Sequence, residues 1–394
     1  MATPYDPNLK EGDTGKLTYN FRFRGLYVGT KEFKLEAGSE YPAFEEYVPD
    51  GYVVTSGKLP TGKVHLKQES VEIEVERVPL QGRFYRFHNA VLQKYLCTMD
   101  DSRQTYRTDT PSAHTIFYYN ADRLLSYERG LYLEGAELSE DAASAENQSM
   151  VLLPAKTGVM DMFNIIFGGE NYMRIYTADG TYNTLGTETQ ASKAKAYDFR
   201  DRMVLALPVV TDNSGWAAFS SPVPVTIPQG CVAYIADGYD NVAKNISLSQ
   251  LAPGTTIGAN TGILLKAEPS SVVEFAISES GCSYEQNVMQ PSVAVTQAGN
   301  DKNAYVPVFG GDRISFRLLD ASQRTIPAHS AWLQTDDADA PAALSVSIPG
   351  EETSVNEIHS ANGSASAIFN IQGQRLSSPQ AGINIVDGRK VIVK

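Results

Sequence analysis

Apolar and polar side chains alternate with a period of two along this chain, and that period dictates strands rather than helices. Leu17, Tyr19, Phe21 and Phe23 alternate with Thr18, Asn20, Arg22 and Arg24, and Val71, Ile73 and Val75 with Glu72, Glu74 and Glu76. A strand turns successive side chains to opposite faces, so each run describes a ribbon with one apolar and one wet face. Long runs with helical spacing of apolar residues are hard to find. The 21 Tyr and 15 Phe against 2 Trp, with 31 Gly and 20 Pro, favour short strands joined by tight turns. We therefore expect an all-β protein. At 394 residues it is expected to hold roughly two to four domains.

Composition and turn signals divide the chain into five pieces. Residues 1–79 read as a small β module. Its opening strand, the connector "EAGSEYPAF" and the closing strand after "GKVHLKQ" resemble the mucin-binding-protein-like, β-grasp-type modules of bacterial surface proteins. Residues 80–205 repeat an aromatic strand, a turn and a short apolar strand, as in "GRFYRFHNAVLQKYLCTMD" and "HTIFYYNADRLLSYERGLYLEG". That spaced repetition, with Lys94, Tyr95 and Leu96 in the opening phrase, resembles ricin-type β-trefoil modules. The Gln-x-Trp repeat of that lectin family is absent, so its sugar sites are not carried over.

Residues 206–350 hold two similar phrases, "TIGANTGILLKAE" (Thr256–Glu268) and "TIPAHSAWLQTDD" (Thr325–Asp337). In each, Thr-Ile precedes a turn with Ala and then Asn or His, and an apolar strand follows. With Pro228, Gly230, Cys231, Ala233 and Tyr234 in a "VPxGVxAY" pattern, they resemble the β-sandwich-like modules of Bacteroides-type surface proteins. Residues 351–366 read as a linker rich in Ser, Ala, Asn and Gly. Residues 367–394 read as a short C-terminal β-hairpin domain, with Asp387-Gly388 as its turn between the strands of Ile383, Ile385 and Val386 and of Val391 and Val393. Phe369, Asn370, Gly373, Gln374, Gly382, Gly388, Lys390 and Lys394 resemble the pattern of C-terminal sorting-type (type IX secretion-like) domains of Bacteroidetes secreted proteins. The resemblance implies an address or an anchor-docking piece.

The net charge is −13, and it is unevenly placed: residues 201–360 carry 7 basic and 17 acidic side chains, and residues 361–394 carry 4 and 1. Phosphate binding needs clustered Lys and Arg, so nucleic acid is rejected as the main partner. No stretch is long and apolar enough for a transmembrane helix. "MATPYDPNLKEGDTG" lacks the apolar core of a signal peptide, so either the protein is cytosolic or a leader has been removed. The sorting-type resemblance implies the second, and an extracellular or cell-surface location. Three cysteines (Cys97, Cys231, Cys282) read as small buried apolar residues rather than a disulfide framework, with a Cys231–Cys282 bridge as the alternative.

Chemical motifs are near misses. "GKLPTGKV" places Gly57, Gly62 and Lys63 as a phosphate-binding loop would, but Val64 stands where the loop needs Ser or Thr, so it reads as a turn. His65, His88, His114, His329 and His359 are scattered without metal-ligand spacing. Asp336, Asp337 and Asp339 read as a solvated loop rather than a calcium site, lacking the Gly and closing Glu of such loops. No catalytic residue, cofactor or metal is expected. "FYYNADR" and "YTADGTYN" set Asn or Asp turns beside tyrosines. Rings stack on a sugar's apolar face while amides and carboxylates take its hydroxyls. The ligand-binding candidates are therefore Tyr119, Asn120, Asp122, Tyr176, Asp179 and Tyr182, with core packing as the competing role of these tyrosines. The expected function is non-enzymatic binding of extracellular glycan or glycoprotein. A structural adhesin or spacer that binds protein, a glycoside hydrolase with unrecognised carboxylates, and a protease-inhibitor-like module are the alternatives.

Overall fold

The computed structural model describes residues 13–59, 62–64, 68–89, 93–98, 105–135, 137–140, 150–154, 162–167, 171–175, 185–188, 196–198, 203–310, 313–348, 368–370, 375–376, 380, 382–386 and 389–393. The protein is all-β: among the described residues there are strands and two short 3-10 turns, Glu45–Tyr47 and Ala113–Thr115. The chain forms two compact units, Met1–Ser345 and Val346–Lys394.

The first sheet of the larger unit follows the alternation read from the sequence. Thr14–Phe23 lies at its centre, antiparallel to Leu26–Glu36 and parallel to Gln68–Arg77, which pairs in turn with Tyr52–Gly57. Leu17, Tyr19 and Phe21 point to one face with Val71, Ile73 and Val75, all nearly inaccessible to solvent. On the other face Asn20 donates to Ser70 and Glu72, Arg22 pairs with Glu72, and Lys16 pairs with Glu32. Gly57 ends a strand, and the next strand begins at Gln68. No helix follows the phosphate-loop-like phrase among the described residues.

Residues 83–198 supply two sheets. One orders Glu137–Ser139, Tyr132–Glu134, Arg123–Ser126, Phe117–Asn120 and Arg83–Tyr85; the other includes Lys94–Thr98, Met162–Phe167 and Asn171–Ile175. Tyr85, Phe87, Phe117, Tyr119, Leu124 and Leu133 are packed together between them. Phe84, Ile116 and Tyr127 belong instead to a core shared with Leu207, Phe219, Ile235, Leu265 and Phe275. Packing is therefore continuous across residue 205.

From Trp216 the architecture is built twice. In the first half Val225–Thr226 pairs with Thr256–Ile257, and Ile263–Lys266 lies between Trp216–Phe219 and Val232–Asp240. In the second half Thr296–Gln297 pairs with Thr325–Ile326, and Ser330–Thr335 lies between Met289–Ser292 and Asn303–Gly310. The registers coincide: Leu264 sits between Ala218 and Tyr234, and Leu333 between Met289 and Tyr305. Four residues before each leucine stand Asn260 and His329, at φ +55° and +49°. This left-handed region is uncommon for residues other than Gly, and Asn and His are enriched there, which is why the two phrases carry those residues at that point. Both halves contribute to one nine-stranded sheet.

The smaller unit contains a four-stranded sheet ordered Arg375–Leu376, Ile368–Asn370, Gly382–Val386, Arg389–Val393. Val386 pairs with Arg389, on either side of the Asp387-Gly388 turn signal. Asn384 is buried and exchanges hydrogen bonds with the Gln380 backbone.

Candidate functional site

The tyrosine-and-turn candidates divide. Tyr119 is 5 % exposed, packed with Phe117 and Leu124, and its hydroxyl donates to Asp122 at 3.2 Å. Its ring fills the core and cannot stack on a sugar, which corrects its assignment as a ligand-binding residue. Asn120 is exposed at the end of its strand. Ala121 and Asp122 sit at φ +48° and +57° between paired Asn120 and Arg123, the geometry of a tight two-residue hairpin turn. Gln81 holds that turn: its Nε2 donates to Asp122 at 2.8 Å and its Oε1 accepts the Ala121 amide at 2.7 Å. The Asp122 carboxylate is thus engaged on its own hairpin. Tyr176, Asp179 and Tyr182 lie outside the described residues.

An open cleft of about 730 Å³ lies elsewhere, lined by Trp216, Pro307, Phe309, Arg317, Gln323, Thr325 and His329 among others. The duplication explains why it exists. Two residues before Ala218 stands Trp216; two before its counterpart Met289 stands Asn287. Two residues after Tyr234 stands Ala236; two after its counterpart Tyr305 stands Pro307. In the first half Asn287 Oδ1 accepts the Ala236 amide at 3.1 Å, the Val288 amide donates to Ala236 O at 2.8 Å, and Asn287 Nδ2 donates to Gly262 O at 2.8 Å. These bonds seal the strand edge. In the second half proline has no N–H to offer, and an indole replaces the amide. The edge stays open, and Trp216 and Phe309 face each other nearly parallel with centroids 6.1 Å apart.

That edge is also a poor acceptor of another strand. The Leu319 amide donates to Ala304 O at 2.8 Å, so Ala304, Val306 and Val308 spend their peptide groups on the neighbouring Arg313–Leu318 strand. Tyr305, Pro307 and Phe309 turn theirs the other way. Pairing with Ser330–Thr335 ends at Tyr305, and the next outward residue is the proline. A docking strand would find that donor missing.

Charge in the cleft is arranged unequally. Burial pushes the Asp212 carboxyl up, but bonds from the Ser214 hydroxyl and from the Trp216, Ser214 and Gly215 amides outweigh it and hold it below the usual range. Lys266 Nζ lies 4.9 Å from the Trp216 ring centre and donates to Ser214 O at 2.7 Å. The Arg317 side chain is exposed and makes no hydrogen bond or ion pair among the described residues. Trp216 Nε1 and His329 Nε2 are buried without partners there. A buried polar atom left without any partner costs about 1–3 kcal/mol.

His329 takes the place of Asn260 at the turn, half-buried with its ring against Tyr127 at 4.3 Å and its Nδ1 3.2 Å from Ser220 O. Burial lowers its pKa from 6.5 to about 4, against the opposing pull of the Ser220 and Tyr127 carbonyls. Between those values the unfolded chain holds a proton that the folded chain refuses. The contribution of neutral His329 is therefore complete above pH 6.5 and is lost as pH falls toward 4. Its size is about 2 kcal/mol once partial exposure is allowed for. His329→Asn restores the first half's residue, suits the left-handed turn, and should flatten the change in urea midpoint between about pH 6.5 and 4. An unchanged slope in this variant would assign the acid sensitivity to other groups.

Several of the remaining sequence candidates have structural partners, and His65 and His359 lie outside the described residues. Cys97 and Cys231 are buried, while Cys282 is exposed, correcting its reading as a buried residue; no disulfide joins Cys231 to Cys282. Asp337 accepts from the Tyr239 hydroxyl and from Lys244 Nζ at 3.0 Å, and Asp336 pairs with Lys302 at 3.3 Å. His114 pairs with Glu128 at 2.6 Å. No group of three or more His, Cys, Asp or Glu is placed to hold a metal ion among the described residues. No helix among them is long and apolar enough to cross a membrane. Sequence reasoning missed the cleft. The signal that leads to it is the paired phrases, once their registers are laid side by side. No family model matches the chain, and a search of curated proteins returns no match.

Proposed function

We propose that this is an extracellular or cell-surface binding protein that recognises glycan, free or on glycoprotein, without transforming it, and that the cleft beside Trp216 is where it does so. The carrying observation is the divergence of the two halves, in which a hydrogen-bonded closure is replaced by an open slot walled by aromatic and amide side chains. Half-buried Phe309 presents a ring for the apolar face of a sugar, and exposed Gln323 presents an amide for its hydroxyls. Among the described lining residues Asp212 is the one carboxylate, and it is held by hydrogen bonds, whereas glycoside hydrolysis takes two working carboxyl groups. Pro307 argues against an added peptide strand. The smaller, basic unit is read as an address or docking piece, on its sequence resemblance to sorting-type domains.

A glycan array probed with the full chain tests the reading. Binding is expected between about millimolar and micromolar, as a shallow aromatic site gives. Gln323→Ala and Phe309→Leu should each weaken it several-fold to about tenfold, with little change in urea midpoint. Silence across a broad array would remove the glycan reading and leave protein-binding adhesion in its place.

A further inference from the structure

We propose that the cleft selects acidic saccharides, with Arg317 holding a carboxylate or sulfate group. This rests on the glycan reading of the same site and deepens it. The argument starts from the register. Ile235 pairs with Ser249 in the first half, and its counterpart Val306 pairs with Arg317 in the second. At this position, then, a small hydroxyl residue in one half is a guanidinium in the other.

Their surroundings differ in the same sense. Ser249 is bonded to the carboxylate of Asp237, which stands at a register shift between Ala236 and Gly238. The second half runs through the same stretch without a shift, so it has no counterpart of Asp237. The acid is lost where the cation is gained. An arginine added for the fold alone would find a carboxylate readily in residues 201–360, which carry 17 acidic and 7 basic side chains. Arg317 finds none among the described residues.

Two acids of this region accept local hydrogen bonds. Asp212, on the cleft wall, takes bonds from Ser214 and Trp216. Asp320, three residues before Gln323, takes both the amide and the hydroxyl of Ser322. Both take these bonds on Oδ1, and neither forms an ion pair with Arg317 among the described residues. Half-buried His329 is neutral at pH 7, and Lys266 Nζ lies 4.9 Å from the Trp216 ring centre. Among the described residues Arg317 is thus a cation without a side-chain partner on the cleft wall, in the most acidic part of the chain. A guanidinium meets a carboxylate or sulfate through two parallel N–H···O bonds, which fixes orientation as well as charge. Ring stacking and amide bonds serve any sugar; the arginine serves only a charged one.

The test compares three oligosaccharide probes of equal length, one neutral, one carrying uronic carboxylates and one carrying sulfate esters, titrated against the full chain. At about 50 mM salt at least one acidic probe should bind roughly tenfold tighter than the neutral one, and the preference should shrink at about 500 mM. The stronger acidic probe identifies which oxyanion is read. Arg317→Gln should erase the preference at an unchanged urea midpoint, and Arg317→Lys should retain only part of it, having charge without the planar fork. Equal binding of neutral and acidic probes, or a preference that survives Arg317→Gln, overturns the inference while leaving the glycan reading in place. If none of the three probes binds, both fall. If an acidic peptide binds at the cleft and no saccharide does, the site is a peptide site and the inference is again overturned.

Discussion

Tyr119→Ala should cost about 3–5 kcal/mol of stability, the range for removing a buried aromatic ring. The ring is 5 % exposed and packs with Tyr85, Phe87, Phe117 and Leu124 between two sheets. Its hydroxyl bonds Asp122, and burial, with the Asp122 charge and hydrogen bond, pushes its pKa well above the ordinary phenol value. Tyr119→Phe keeps the packing and gives up one hydrogen bond to a half-exposed partner, so it should cost about 1 kcal/mol or less. Urea unfolding of the pair separates core from surface: a surface ring would leave the alanine variant within about 0.5 kcal/mol of the parent. Glycan affinity of the phenylalanine variant should match the parent, because the ring never meets solvent. A drop in its affinity would restore Tyr119 to the binding surface.

The strands were legible because burial on one face leaves a period-two trace. Leu17, Tyr19 and Phe21 carry that trace, and all three are core. The doubled architecture was legible at Asn260 and His329, since a left-handed turn restricts the residues it accepts. The tyrosine candidates misled for a physical reason. A sugar site wants an aromatic ring beside an Asn or Asp, and a tight hairpin with a core aromatic wants the same residues. "FYYNADR" is the second case, with Gln81, some forty positions upstream, holding the turn. The cleft was illegible by inspection because its walls come from separate strands and its opening depends on a missing bond. Pro307 in place of Ala236 is a conspicuous change only once Asn287 is known to bond Ala236. The acids of the 336–339 loop behaved likewise: what settles Asp337 is Tyr239 and Lys244, about a hundred residues away.

Gly130→Ala should be strongly damaging, at about 2–4 kcal/mol. Gly130 holds φ +61°, where a side chain is strained, and an added Cβ would stand 1.9 Å from Ala328 Cβ and 3.1 Å from the Val295 amide. The glycine cannot move away cheaply, because its amide donates to Ser126 O and its carbonyl accepts from Val295 N, each at 2.9 Å. The second contact is a backbone bond between the loop at Gly130 and the duplicated region, and Ala328 precedes His329 in the cleft wall. Gly82→Ala supplies the control: it holds φ +72° with nothing within 4 Å, so it isolates the backbone strain of about 1 kcal/mol. The difference between the two variants in urea midpoint measures the steric part. Ala328→Gly in the Gly130→Ala background removes the facing methyl and should recover most of that difference, while failing to recover the strain. If Gly130→Ala costs no more than Gly82→Ala, the two surfaces separate freely and the Gly130 contact does not fix the Ala328–His329 wall. If the double variant recovers stability, that wall is held in place by backbone packing from outside the duplication, and the open cleft is a rigid feature of the fold.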